Sequence, residues 1–160
     1  MMERFQDTGD TVQSFQDQVL VRCPHCGSCA VVRCTTPENF RFSPRRFSCK
    51  ACGSYKDWAE STISRTWKNE PPVDDYFHYP LWLQAPCCGQ TLWAYNFEHL
   101  DFIEVFVSAR LRESQRDENG LWSNRSLFSR LPRWIQSAKN RETILKVINK
   151  IRQSNEGIFQ

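Results

Sequence analysis

Glycine is scarce in this chain of 160 residues, with six in all, and histidine and methionine are scarcer still at three and two. So few glycines leave little material for the backbone loops that cradle phosphates, and neither a Walker-type lysine loop nor a nucleophile elbow occurs. The histidines, His25, His78 and His99, are never paired at metal-ligand spacing. His25 is expected to be exposed and His99 to serve core packing or capping. The carboxylate pairs Asp74-Asp75 and Asp101/Glu104 are expected to be solvated. No apolar run approaches the roughly 18 residues that cross a bilayer. Residues 1–20 set Glu3, Asp7, Asp10 and Asp17 against Arg4 and lack the apolar centre of a secretory leader. The expectation is a cytoplasmic protein that is not an enzyme, with no membrane and no evident small-molecule substrate.

What the chain does have is aromatic and sulfur-bearing side chains. Hydrophobic residues make up 40% and aromatics 13%, with six Trp and eleven Phe, which excludes a disordered polypeptide. A mass of 18.9 kDa fits one ordinary domain or two small ones. The net charge of +3 hides an uneven distribution. Residues 1–20 carry −3, residues 22–56 carry +6 with Glu38 as the sole acid, and residues 121–152 carry +7 with Glu142 as the sole acid. Two basic stretches can thus meet an acidic partner although the whole chain is nearly neutral.

The eight cysteines carry the strongest chemical signal. In a reducing compartment cysteines are read first as metal ligands rather than disulfides. Cys23-Pro24-His25-Cys26-Gly27 and Cys49-Lys50-Ala51-Cys52-Gly53 are matched units, separated by 22 residues between Cys26 and Cys49. Each can fold as a tight knuckle in which glycine permits the turn. Together they supply four sulfurs, the closed tetrahedral set of a structural zinc site with no position open to substrate. The insert is slightly longer than the usual ~15–20 residues and is enough for a strand, a turn and a returning strand. Val19–Arg22, Ala30–Cys34 and Phe40–Ser48 have the composition for these strands. A piece of about 40 residues has too little core to fold alone, so one structural zinc would supply much of its folding energy.

On Cys23, Cys26, Cys49, Cys52 and their glycines, residues 19–58 resemble a zinc ribbon of the transcription-factor-IIB type, as found in many small bacterial proteins. The remainder, including Pro86-Cys87-Cys88-Gly89-Gln90-Thr91-Leu92-Trp93-Ala94-Tyr95-Asn96, is similar to uncharacterised bacterial proteins that carry such a ribbon. The resemblance implies a module that binds nucleic acid or protein.

Four cysteines stand outside that set. Cys23, Cys26, Cys29 and Cys34 approach the spacing of an iron–sulfur run without matching it, and this choice leaves Cys49 and Cys52 unexplained. Cys29 and Cys34 read better as packed thiols. Cys87 and Cys88, with His78 or His99, could make a second zinc site. Neighbours in an extended strand point apart, however, so two separate hairpin thiols are expected.

The expected architecture is α+β. A flexible acidic arm (1–18) precedes the zinc ribbon (19–60). A polar linker (61–75) holding Pro71-Pro72 leads to a β-hairpin and about three helices (76–160). Leu81–Ala85 and Thr91–Tyr95 are the hairpin strands. Asn96 caps a helix over Phe97–Arg116 with Leu100, Ile103, Phe106, Val107 and Leu111 at helical spacing. A second helix runs from Ser126 to about Gln136, with its boundary disturbed by Pro132. A third follows Asn140, with Ile144, Leu145, Val147, Ile148 and Ile151 inward.

Two functions follow. In the first, Phe40-Arg41-Phe42-Ser43-Pro44-Arg45-Arg46-Phe47 and the basic C-terminal helices bind nucleic acid. Arg41, Arg45 and Arg46 would neutralise phosphates while Phe42 and Phe47 stack on unpaired bases. The competing use of these rings is to alternate inward and brace the ribbon. In the second, the aromatic surface makes the chain a protein-interaction adaptor, an accessory or immunity-like component with an acidic protein partner.

Overall fold

The computed structural model describes residues 4–6, 15–38, 41–59, 72–109, 111–113 and 131–156. Its elements in chain order are β1 (Arg4–Gln6), β2 (Gln18–Arg22), β3 (Cys29–Cys34), β4 (Arg45–Ser48), β5 (Tyr55–Trp58), β6 (Leu83–Cys87), β7 (Gln90–Ala94), α1 (Phe97–Ser108), β8 (Leu111–Glu113), α2 (Arg133–Gln136) and α3 (Arg141–Ser154). The fold is α+β. The chain divides into two compact units, one formed by Gln13–Gln84 with Trp93–Phe97, the other by Met1–Val12, Ala85–Leu92 and Glu98–Gln160. No helix among the described residues is long and apolar enough to cross a membrane.

The first unit, called the ribbon unit below, is built on a four-stranded antiparallel sheet in the order β2-β3-β4-β5. Its register aligns Val19 with Val32, Val21 with Ala30, and Val32 with Phe47. Side chains alternate across a strand, so these residues share one face. That face is buried: Val19, Val21, Ala30, Val32 and Phe47 are each at most 2% exposed. Rings from the 72–84 segment cover it. Tyr79 meets Phe47 edge-on with centroids 5.0 Å apart, and Tyr76 meets Trp58 at 4.7 Å. The segment is tied down by backbone bonds from Arg22 N to Pro80 O and from Trp82 N to Leu20 O, both on β2.

Three short stretches differ from the sequence expectation within this unit. Phe15 and Gln16, placed in the flexible arm, are buried. The Asn96 side-chain amide donates to Phe15 O and Gln18 O at 2.8 and 2.7 Å, which anchors the approach to β2. Asp74 and Asp75, expected to be solvated, are buried as well. The Asp74 carboxylate accepts from the backbone amides of Tyr76, Phe77 and Tyr79 at 2.7–3.0 Å, and Asp75 accepts from Gln16 at 2.7 Å. These bonds replace the water that a carboxylate otherwise needs. Residues 76–84 cluster with the ribbon strands. Residues 60–71, most of the expected linker, lie outside the described residues.

The second unit, the helical unit, holds most of α1, with α2, α3 and a two-stranded parallel pair of β1 with β8. Leu100, Ile103, Phe106 and Val107 of α1 and Ile144, Ile148 and Ile151 of α3 are buried at helical spacing. The helix expected to run to Arg116 ends at Ser108, and Leu111–Glu113 is extended. The physical reason is remote in sequence: Arg141 donates to Val107 O at 2.9 Å and to Ala109 O at 3.4 Å, satisfying carbonyls at the end of the helix with a cation. Pro132 stands just before α2, where its missing amide costs nothing. Residues 126–130 of the expected second helix lie outside the described residues. Arg152 of α3 pairs with Asp101 and Glu104 of α1.

Candidate metal centre

The two Cys-x-x-Cys-Gly units fold into matching knuckles. In the first, Gly27 N donates to Cys23 O at 2.9 Å and Cys23 N to Ser28 O at 2.8 Å. In the second, Gly53 N donates to Cys49 O at 2.9 Å and Cys49 N to Ser54 O at 2.9 Å. Gly27 and Gly53 have φ of +77 and +76, the left-handed conformation that a side chain rarely adopts. The first knuckle joins β2 to β3 and the second joins β4 to β5. The antiparallel sheet therefore carries both knuckles to the same end of the ribbon.

Four sulfurs converge there. The ligand atoms of Cys23, Cys26, Cys49 and Cys52 all lie within 4.8 Å of one another. Cys23 Sγ is 3.7 Å from Cys52 Sγ, and Cys26 Sγ is 3.5 Å from Cys49 Sγ. A tetrahedral site with metal–sulfur bonds of about 2.3 Å places its sulfurs about 3.8 Å apart. The geometry therefore fits a single four-coordinate ion. No disulfide joins any pair among the described cysteines.

The thiols are unequally prepared. Ser54, through hydroxyl and amide, brings Cys52 down to about 6, and its Oγ lies 3.2 Å from Cys52 Sγ. The Ser28 amide and hydroxyl lower Cys26 likewise. Burial pushes Cys49 up to about 11. The outer sulfur of each knuckle is thus the readier thiolate, while Cys49 would have to give up its proton to a bound metal. Sequence reasoning missed the two serines, although both directly follow the knuckle glycines. It also missed Arg22: Nε and Nη2 stand 3.7 Å from where a Cβ on Gly27 would sit, so a guanidinium flanks the first knuckle.

The iron–sulfur alternative is not assembled. Cys29 lies outside the cluster, half-buried, with its thiol pushed up to about 12 by burial. Cys34 Sγ lies 3.4 Å from Thr36 Oγ1 and 3.5 Å from Glu38 O. The four-cysteine cluster is the one group of three or more His, Cys, Asp or Glu side chains at metal-holding distance among the described residues.

The basic aromatic stretch is split by the sheet. Arg45 and Phe47 point to the buried face, with exposures of 0% and 1%. Arg45 lies 4.5 Å over the Tyr76 ring and donates to Gln16 O at 2.6 Å. It is a core residue, which corrects its expected role as a phosphate ligand, and Phe47 is likewise withdrawn from base stacking. Period-two alternation is the cause: a strand that sends Phe47 inward sends Arg45 inward too.

Arg41, Phe42 and Arg46 remain outside. The Arg41 guanidinium lies 5.8 Å from the Phe42 ring, which is 52% exposed. Arg46 lies 5.7 Å from the ring of Tyr55, a residue 72% exposed that sequence reasoning passed over. Arg46 also forms a two-pronged pair with Asp57 at 2.7 and 3.1 Å, which holds the Asp57 carboxyl below its usual range. Beside Arg46 is a hollow of about 330 Å³ lined by Thr35, Pro44, Arg45, Arg46, Asp57, Trp58 and Ala59.

Comparison with protein-family models, with curated proteins and with solved structures finds no match to this chain. The functional reading therefore rests on the site alone.

Proposed function

We propose that the four-cysteine cluster holds one structural zinc ion, and that the ribbon it stabilises is a non-enzymatic binding module of the transcription-factor-IIB type with a nucleic-acid partner. Zinc suits this geometry in bond length and in its preference for thiolates, and four of them leave it no open position. The observation that carries the nucleic-acid reading is the pairing of exposed rings with exposed guanidiniums, Phe42 with Arg41 and Tyr55 with Arg46. A ring left half or more in water is available to stack on an unpaired base; the Arg41 guanidinium beside Phe42 can reach the phosphate, and Arg46 can do so by exchanging Asp57 for it. Single-stranded DNA or RNA supplies both groups.

The test is fluorescence anisotropy with short oligonucleotides across a salt series. The variant is Arg41→Ala/Arg46→Ala, with the buried Arg45 left in place. Each phosphate contact removed should lower the salt slope by about one unit. Phe42→Ala should instead cost ~1–3 kcal/mol with little change in slope. Absence of binding by the wild type near physiological salt would contradict the reading.

One observation favours a protein partner as the second reading. Asp57 neutralises Arg46 next to exposed Tyr55, giving an aromatic patch rimmed by both signs of charge. Protein interfaces use tyrosine and arginine in this way. Binding that survives high salt and tolerates nuclease points to that partner, since phosphate contacts weaken steeply with salt.

A further inference from the structure

Cys87 and Cys88 are expected from sequence to point apart, as neighbours in an extended strand do. The chain is not extended at this point. β6 ends at Cys87 and β7 begins at Gln90, leaving Cys88 and Gly89 as a two-residue turn. Their φ values are +53 and +74. Positive φ at both central positions defines a type I′ hairpin turn, in which Asn, Asp or Gly is the usual first residue. Cysteine stands there instead. The left-handed backbone swings its side chain out of the strand alternation, and Cys87 Sγ and Cys88 Sγ lie 3.7 Å apart.

We propose that Cys87 and Cys88 form a vicinal dithiol site for a thiophilic trivalent metalloid, of which trivalent arsenic is the type. Two sulfurs at 3.7 Å on adjacent residues are held ready to bind one centre from the same side. Cys88 is exposed and gives entry, while Cys87 is buried and gives the second bond shelter from water. Two sulfurs are too few for a closed zinc site, and among the described residues no third His, Cys, Asp or Glu joins them. A soft ligand pair favours a soft centre. Burial, then the neighbouring Cys88, pushes the Cys87 thiol up to about 11, so that thiol holds its proton at neutral pH. An arsenoxide brings its own base. In the step, two S–H bonds break and two As–S bonds form. The oxide oxygen leaves with both protons as water. Arsenic stays trivalent, so no oxidant or reductant is needed.

The test is titration of the zinc-loaded full chain with phenylarsine oxide, followed by native mass spectrometry and a chromophoric zinc indicator. The expected result is one arsenical per chain, added with loss of one water and with zinc retained. Cys88→Asn keeps a residue suited to the turn, and should bind about a hundredfold more weakly because the second As–S bond no longer forms within one molecule. Cys87→Ser should behave alike. Should Cys87→Ser fail to fold, Cys88→Asn decides alone. An unchanged adduct in Cys88→Asn would overturn the proposal by placing the arsenical elsewhere. An adduct that appears only as zinc is released would overturn it too, since the ribbon sulfurs would then be the site.

Discussion

The two units of this chain use different materials to hold their shape. In the ribbon unit the strands are four to six residues long, and the buried face adds rings and a guanidinium (Phe47, Trp58, Tyr76 and Arg45) to a few valines. In the helical unit, α1 and α3 of 12 and 14 residues bury continuous aliphatic stripes at Leu100, Ile103, Val107, Ile144, Ile148 and Ile151. The difference teaches where a metal is needed. The four convergent sulfurs stand at one end of this short-stranded sheet, where a bound ion would add folding energy to the two knuckles. The two helices draw their stability from packing these amphipathic faces.

The largest expected effect follows from chelating the metal. Its removal should take on the order of 10 kcal/mol from the ribbon unit. The helical unit should keep its far-ultraviolet circular dichroism signal while the near-ultraviolet bands of the packed rings are lost. Joint loss of both signals would break the comparison, because the metal would then support the whole molecule. Next in size, Phe106→Ala in the helical unit should cost ~3–5 kcal/mol in denaturant unfolding. Metal content should not change, since Phe106 belongs to the other unit's core.

Arg45→Ala sharpens the comparison from the ribbon side. Loss of the guanidinium from Tyr76 and Gln16 O should cost about 3 kcal/mol of ribbon stability, combining a charge-assisted hydrogen bond with a desolvated cation–π contact. If Arg45 were a phosphate ligand instead, the variant would fold as the wild type does and weaken only polyanion binding. Arg45→Lys keeps the charge but loses the planar stack, and should recover less than half of the stability.

The smallest effect is a pH dependence carried by His99 in the helical unit. Burial holds this imidazole down to about 4 against an ordinary 6.5. The unfolded chain therefore binds the proton more readily between those values, and stability must fall as pH falls through that window. By pH 4.5 the loss should reach about 2–3 kcal/mol, and His99→Leu should flatten the profile. Denaturant unfolding of the helical signal across the pH range measures it.

Legibility in the sequence followed the range of the interactions. The knuckles were readable because each is a local device, fixed by two cysteines and a glycine within five residues, and matched spacing placed both on one site. The α+β order was readable because Leu100, Ile103 and Phe106 repeat with the helical period while Val19, Val21, Ala30 and Val32 alternate. The end of α1 was not, since Arg141 caps it from 32 residues beyond Ala109. Burial of Asp74 and Asp75 depends on backbone amides in a turn that composition does not reveal. Two errors had a signal at hand. Arg45 stands two residues before Phe47, so bracing of the ribbon by Phe47 already commits Arg45 to the same face. A Cys-Gly dipeptide between two strands is also a tight-turn pattern, which changes where Cys88 points.

The central claim is that one ion held by Cys23, Cys26, Cys49 and Cys52 organises the ribbon. Native mass spectrometry of protein purified without chelator, together with elemental analysis, measures it directly. The account predicts one zinc per chain, and none in the variant with all four cysteines changed to serine. A wild type devoid of metal, or a quadruple variant that keeps its full zinc, would contradict it.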